Sequence, residues 1–185
     1  MTALKVFKIF VLSSALFFLA ACSTSNETET ANTSATIQFS IKNFANPEPS
    51  LFTGGQPSQE ALTALAEAGV KHVINLRPLQ EQEQSQDWNE AELVQSLHMQ
   101  YHSIPVAGAA DVTLENATAL ADLLKTLEGE QVFLHCASSN RVGALTALYE
   151  GAANGVNTDD AIAKGKNWGL SSLEPVVRAQ LNNPQ

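Results

Sequence analysis

"VFLHCASSNRVGALTALYE", residues 132–150, decides how this chain is read. An apolar run leads to His135-Cys136, four residues intervene, and Arg141 opens a helical stretch. The order strand, loop, helix has a chemical consequence. A loop between a parallel strand and its following helix directs backbone N–H groups and the helix N-terminus toward one point. A Cys at that point is a stabilised thiolate, lowered from about 8.5 toward neutrality or below. Arg141 adds a planar fork of donors for a tetrahedral oxyanion. The competing reading is a buried thiol closing a strand, a common fate of Cys. The pairing of His-Cys at a strand end with Arg at a helix start favours the nucleophile.

Working outward, the flanking segments alternate in type. "SLFTGG" is a short strand, and "PSQEALTALAEAGV" is a helix with Ser58 as N-cap and Gly69 at its C-terminal end. "KHVINL" is an apolar strand closed by Arg77-Pro78. Asp87 and Glu90 form a capping-box-like start for "WNEAELVQSLH". "QYHSIPV" is the next strand, and Thr113 caps "LENATALADLLKTLEG". Two or three more helices complete the C-terminus. Strands separated by helices of this length predict a single α/β domain with a mostly parallel central sheet and helices on both faces. Ligands of such sheets bind at the carboxyl ends of strands, where Cys136 falls.

The N-terminus is of another kind. Lys5 and Lys8 precede the 13-residue apolar run "IFVLSSALFFLAA", which is too short to span a bilayer at about 20 residues. "LAAC", Leu19 to Cys22, resembles a lipobox, in which the Cys is lipidated and becomes the new N-terminus. The expected organisation is therefore a lipoprotein signal over 1–21, a disordered polar tether over 22–36, and a folded domain over 37–185. Ser23 after the lipidated Cys22 resembles lipoproteins sorted to the outer membrane of Gram-negative cells, facing the periplasm. In that oxidising compartment Cys136 would be the only free thiol.

Charge narrows the partners. The chain carries −9, and removing residues 1–21 takes away two Lys and no acid, leaving −11. No basic stripe for nucleic acid is present. Attachment to a membrane would come from acyl chains on Cys22 and not from a basic patch.

At "LFTGGQPS", "GVKHVINLRP", "YHSIPV" and "VFLHCASSNRVGAL" the chain resembles the Cys-dependent protein tyrosine and dual-specificity phosphatases. It looks most like their bacterial β-lactamase hydrolase-like members. The resemblance covers about residues 50–150. It implies a tyrosine-phosphatase-like fold, no cofactor, and a phosphorylated substrate. It implies Cys136 as the nucleophile, Arg141 as the phosphate clamp, and Asp111 as the acid that protonates the leaving oxygen, with Asp87 and Asp122 as competitors. The loop residues Ala137, Ser138, Ser139 and Asn140, with Val142, would surround the phosphate.

Three features depart from that pattern. Phosphatases place five residues between Cys and Arg, whereas four stand here, the spacing of rhodanese-type sulfurtransferases. Ser139 occupies a position usually held by Gly, so Asn140 is expected to supply the left-handed backbone. Val142 replaces the hydroxyl residue that follows the Arg in phosphatases. Two other readings therefore stand beside the phosphatase: a sulfurtransferase using the same Cys, and a weakly catalytic anion-binding module.

The remaining candidates carry less. His135 should orient the loop, with its side chain on the sheet face opposite Cys136. Arg77 either lines the site or makes a surface salt bridge. His98 and His102 have helical metal spacing without a third ligand, so no metal site is expected. "KGKNWGL", 164–170, is read as a helix end with Trp168 on the core, and "EQEQSQ", 81–86, as a solvated face.

Overall fold

The computed structural model describes residues 41–183. The signal, Cys22, the tether and the expected domain start at Ile37 lie outside the described residues. Five strands form one sheet in the order β1-β2-β5-β3-β4. They are β1 (Ala45–Glu48), β2 (Leu51–Gly54), β3 (His72–Asn75), β4 (Gln100–Ser103) and β5 (Val132–His135). The β2–β5, β5–β3 and β3–β4 pairs are parallel, and only β1 runs antiparallel to its neighbour. β1, "ANPE", was not legible as a strand because Pro47 interrupts it. At a sheet edge the missing N–H costs little, and that is where the strand sits.

Among the described residues seven α-helices cover the sheet: α1 (Gln59–Glu67), α2 (Leu79–Ser85), α3 (Glu90–Ser96), α4 (Leu114–Thr126), α5 (Asn140–Ala152), α6 (Thr158–Asn167) and α7 (Glu174–Asn182). Strand alternation divides the core in two. Val132, Leu134 and Cys136 face Leu120 of α4, Leu145 of α5, Ile162 of α6 and Val177 of α7. Phe133 and Val73 face Leu62 and Leu65 of α1 and Val94 of α3. Of the three inner strands, β3 and β5 are buried along their whole length, as a sheet covered on both faces requires. A fully buried side chain such as Phe133 contributes about 1.5–3 kcal/mol relative to exposure.

The helix starts follow local chemistry. Ser58 accepts from Ala61 N at 3.2 Å and Thr113 from Asn116 N at 3.2 Å, as the sequence predicts. The expected capping box at Asp87 and Glu90 does not form. Asn89 is the N-cap of α3 and accepts from Glu92 N at 3.2 Å, because the Glu90 side chain is turned inward and buried. β2 and β5 are neighbours, yet α1 and α5 leave them toward opposite faces. Their carboxyl ends are therefore the switch point of the sheet, the place where ligands of such sheets bind.

Candidate active site

Cys136 stands at that switch point, one residue beyond β5, and is buried. Its N–H reaches the Gly54 carbonyl at 3.4 Å, which continues the β2–β5 ladder into the loop. Gly55 then bridges to Ser138, and Asn43 Nδ2 donates to the Ser138 carbonyl at 3.0 Å. A Cβ on Gly55 would lie 2.9 Å from the Ala137 carbonyl oxygen, so only glycine lets β2 approach the loop this closely. His135 lies on the opposite sheet face, stacked on Phe133, as strand alternation requires.

Ser139, the N-cap of α5, makes no side-chain cap, so the first-turn N–H groups of the helix are not spent on its hydroxyl. Its φ of 65° is left-handed, a conformation costly for a residue with a Cβ. The expectation that Asn140 would take this role is corrected: Asn140 is already helical. Ser139 holds the turn because its hydroxyl donates to the Trp168 carbonyl at 2.8 Å. Asn140 Oδ1 accepts from Ser171 N at 2.8 Å and Leu173 N at 3.3 Å, and its Nδ2 donates to Ser172 Oγ at 2.8 Å. The segment after α6 is thus fastened to the loop by two consecutive side chains. Trp168 packs on the core as expected, and its backbone also touches the site.

Arg141 lies in the first turn of α5. Its two terminal nitrogens hold both oxygens of Glu81, at 2.7 and 2.8 Å, and Nη1 also donates to the Val106 carbonyl at 2.7 Å. The Glu81 carboxylate raises the guanidinium further above its ordinary range, burial opposes this, and the adjacent Cys136 sulfur adds to the rise. Arg141 in turn holds the Glu81 carboxyl below the usual carboxylate range, against some burial and with Arg77 assisting. Arg77 is buried, so the surface salt bridge considered for it does not exist. It donates to Glu81 Oε1 at 2.9 Å and also to Gln56, Ser85 and Gln86.

A second carboxylate sits beneath the loop. Glu90 Oε1 is 2.7 Å from His135 Nε2, and Asn75 Nδ2 donates to it at 3.2 Å. Gln56 Nε2 donates to Glu90 Oε2 at 2.6 Å, while its oxygen accepts from Arg77. His135 Nδ1 faces the Cys136 carbonyl at 3.4 Å. Burial pushes the Glu90 carboxyl up, but His135, Gln56 and Arg77 together outweigh it and hold the group below its usual range. Polar contacts thus run from the Cys136 backbone through His135, Glu90, Gln56, Arg77 and Glu81 to Arg141.

Gln56, Glu81 and Glu90 were missed as site residues. Glu81 lies in the run read as solvated, a reading the structure overturns for Glu81, Gln82 and Gln86. Asp111 lies in a 3-10 turn, Ala109–Asp111, and Oδ2 accepts from Ala107 N at 2.7 Å. Its loop meets the site through Val106. Of its competitors, Asp122 is exposed and pairs with Lys125 far along α4. Val142 is fully buried. His102 faces His72 across β3 and β4 with ring nitrogens 3.1 Å apart, while His98 sits in a turn. Among the described residues no group of three His, Cys, Asp or Glu could hold a metal.

A parallel strand, a Cys one residue beyond it, a short loop and an Arg in the first turn of the next helix are shared by the Cys-dependent phosphatases and the rhodanese-type sulfurtransferases, and likeness to known proteins places this fold with the phosphatases. Residues 26–173 match the family model "DSP-PTPase phosphatase fused to NAD+ Kinase", and the chain belongs to that family. It is 32% identical over 122 residues to the "Beta-lactamase hydrolase-like protein" of Xylella fastidiosa strain Temecula1, a match covering 65% of this chain. The chain spans only 28% of that relative's length. Among solved structures it is similar to the DUF442 protein of Shewanella putrefaciens CN-32, at 26% identity and TM-score 0.58 over 80% of this chain and 92% of that one. It shares its fold with the nma1982 protein of Neisseria meningitidis Z2491, at 22% identity and TM-score 0.62 over 76% of this chain and 97% of that one.

Proposed function

We propose that this chain hydrolyses phosphate monoesters, phosphotyrosine among them, through a phosphocysteine intermediate. The observation that carries the reading is Arg141, gripped by Glu81 beside the Cys136 sulfur at the mouth of the α5 N-terminus. The Cys136 thiolate attacks phosphorus, the ester P–O bond breaks, and Asp111 delivers its proton to the leaving oxygen. Water then attacks the phosphocysteine and yields its proton to the Asp111 carboxylate. The S–P bond breaks, releasing phosphate and restoring the thiolate. Arg141 and the first-turn N–H groups of α5 stabilise the equatorial oxygens in both steps. His135 and Glu90 act on the loop backbone and touch no reacting atom.

The four-residue spacing from Cys136 to Arg141 favours one second reading, a sulfurtransferase. In that reaction the outer sulfur of thiosulfate would pass to Cys136, sulfite would leave, and cyanide would carry the sulfur away as thiocyanate. Paired assays of one sample with p-nitrophenyl phosphate and with thiosulfate plus cyanide separate the two. Phosphate release without thiocyanate supports the phosphatase, thiocyanate alone the sulfurtransferase, and neither an anion-binding module.

The proposed setting is the bacterial envelope, with lipidated Cys22 holding the domain at the outer membrane on its periplasmic side. "LAAC" supports this placement. A palmitate analogue should label the wild type, and persistence of the label in Cys22→Ser would remove the anchor from the account.

A further inference from the structure

The main chain around Asp111 is held by side chains from two helices. Ile104 N donates to the Asn75 carbonyl at 3.1 Å and Val106 N to the Leu76 carbonyl at 2.9 Å, so the loop after β4 leaves the sheet alongside β3. The Val106 carbonyl then meets Arg141. Ala109–Asp111 form the 3-10 turn that Val112 closes. Asn116 Nδ2, in the first turn of α4, donates to the Asp111 carbonyl at 2.8 Å. Gln180 Nε2 of α7 donates to the Val112 carbonyl, 68 residues back along the chain. Val112 itself is fully buried, in one cluster with Ala117 of α4 and Val177 of α7.

Two consecutive carbonyls are therefore met by side-chain amides of two different helices. A bond from the half-buried Gln180 to a main-chain carbonyl adds little stability, because ordering so long a side chain offsets most of the gain. Its effect is on position. A general acid must stand within hydrogen-bond reach of the oxygen it protonates, and a misplacement of about 1 Å costs on the order of 100-fold in rate. The Asp111 carboxyl is itself oriented, since Oδ2 accepts from Ala107 N at 2.7 Å. Oδ1 is then the oxygen that carries the transferred proton.

Resting on the phosphatase reading with Asp111 as its acid, we propose that Gln180 is a positioning residue for that acid. Together with Asn116 it fixes the Asp111–Val112 main chain, and through it α7 governs how fast esters with poor leaving groups are cleaved. Gln180 acts only through the Val112 carbonyl and touches no reacting atom.

The test compares kcat/KM for phenyl phosphate and p-nitrophenyl phosphate in the full chain, a quantity that covers the step forming the phosphocysteine. Phenolate needs its proton to leave, whereas p-nitrophenolate needs little protonation. In Gln180→Leu the value for phenyl phosphate should fall about 10-fold or more, and that for p-nitrophenyl phosphate about twofold. Gln180→Glu has the same shape without the donor and should show the same selective loss. Asp111→Asn is measured beside them. If the folded Gln180 variants slow both esters equally, or neither, while Asp111→Asn is selective, Gln180 does not position the acid and the phosphatase reading stands. If both Gln180 variants unfold, Gln180 holds the fold and the proposal is overturned. If Asp111→Asn is itself unselective, the acid assignment fails and the proposal with it. A wild type that cleaves neither ester would overturn the phosphatase reading as well.

Discussion

Glu81 and Arg141 meet in a two-pronged ion pair, with 2.7 and 2.8 Å between the carboxylate oxygens and the terminal guanidinium nitrogens. This arrangement fixes the plane of the guanidinium and so aims its remaining donors at the Cys136 loop. Arg77 steadies Glu81 from the other side at 2.9 Å.

Glu81→Gln removes the charge and one of the two acceptors while keeping the shape. Turnover of p-nitrophenyl phosphate should fall about 10- to 100-fold, the loss expected when a charged contact worth about 1.5–3 kcal/mol is weakened. Iodoacetamide should still alkylate Cys136. Steady-state kinetics with unchanged kcat/KM would show that the Val106 carbonyl alone positions Arg141.

Glu90 gives a pH signature. Its folded pKa is depressed, so its contribution to stability is complete above the unfolded value of about 4.3 and is lost as pH falls through the lower folded value. Urea unfolding of wild type and Glu90→Gln should differ by about 1–3 kcal/mol at neutral pH. That gap should narrow on the acid side of about pH 4.3. A gap of equal size at pH 3 and pH 7 would mean that an ionised Glu90 contributes nothing special.

Gly169 and Ser139 are coupled by contact. Gly169 has φ of +105°, and a Cβ there would lie 2.4 Å from the Ser139 Cβ. Gly169→Ala should cost about 1–3 kcal/mol by overpacking and also lower turnover, because the displaced neighbour shapes the loop. Adding Ser139→Gly should recover part of both losses, since it removes the clashing atoms and relieves the left-handed residue. Thermal unfolding and kinetics on the two variants check this. No recovery in the double variant would show that the segment after α6 acts on the loop by another route.

The sequence revealed different levels of this structure unequally. Alternating strands and capped helices gave the parallel sheet, and the opposite faces of His135 and Cys136 followed from strand alternation alone. Local patterns also located Cys136 and Arg141, because strand, loop and helix are contiguous there. Glu81, Gln56 and Glu90 were hidden because their partners lie 60, 21 and 45 residues away, and no local period announces such pairs. A run such as "EQEQSQ" reads as solvated until the fold turns Glu81 toward two arginines. Ser139 was misjudged for a related reason. The hydroxyl bond that holds its left-handed backbone reaches Trp168, 29 residues further on.

The central claim is that Cys136 takes a phosphoryl group during turnover. Rapid acid quenching of the protein with p-nitrophenyl phosphate, followed by peptide mass spectrometry, tests it directly. The account predicts a phosphoryl adduct on the peptide carrying Cys136, absent in Cys136→Ser and rising in Asp111→Asn if that variant slows breakdown of the intermediate. An unmodified Cys136 under phosphate-ester turnover, or a sulfur adduct formed from thiosulfate with no phosphoryl adduct from any ester, would contradict it.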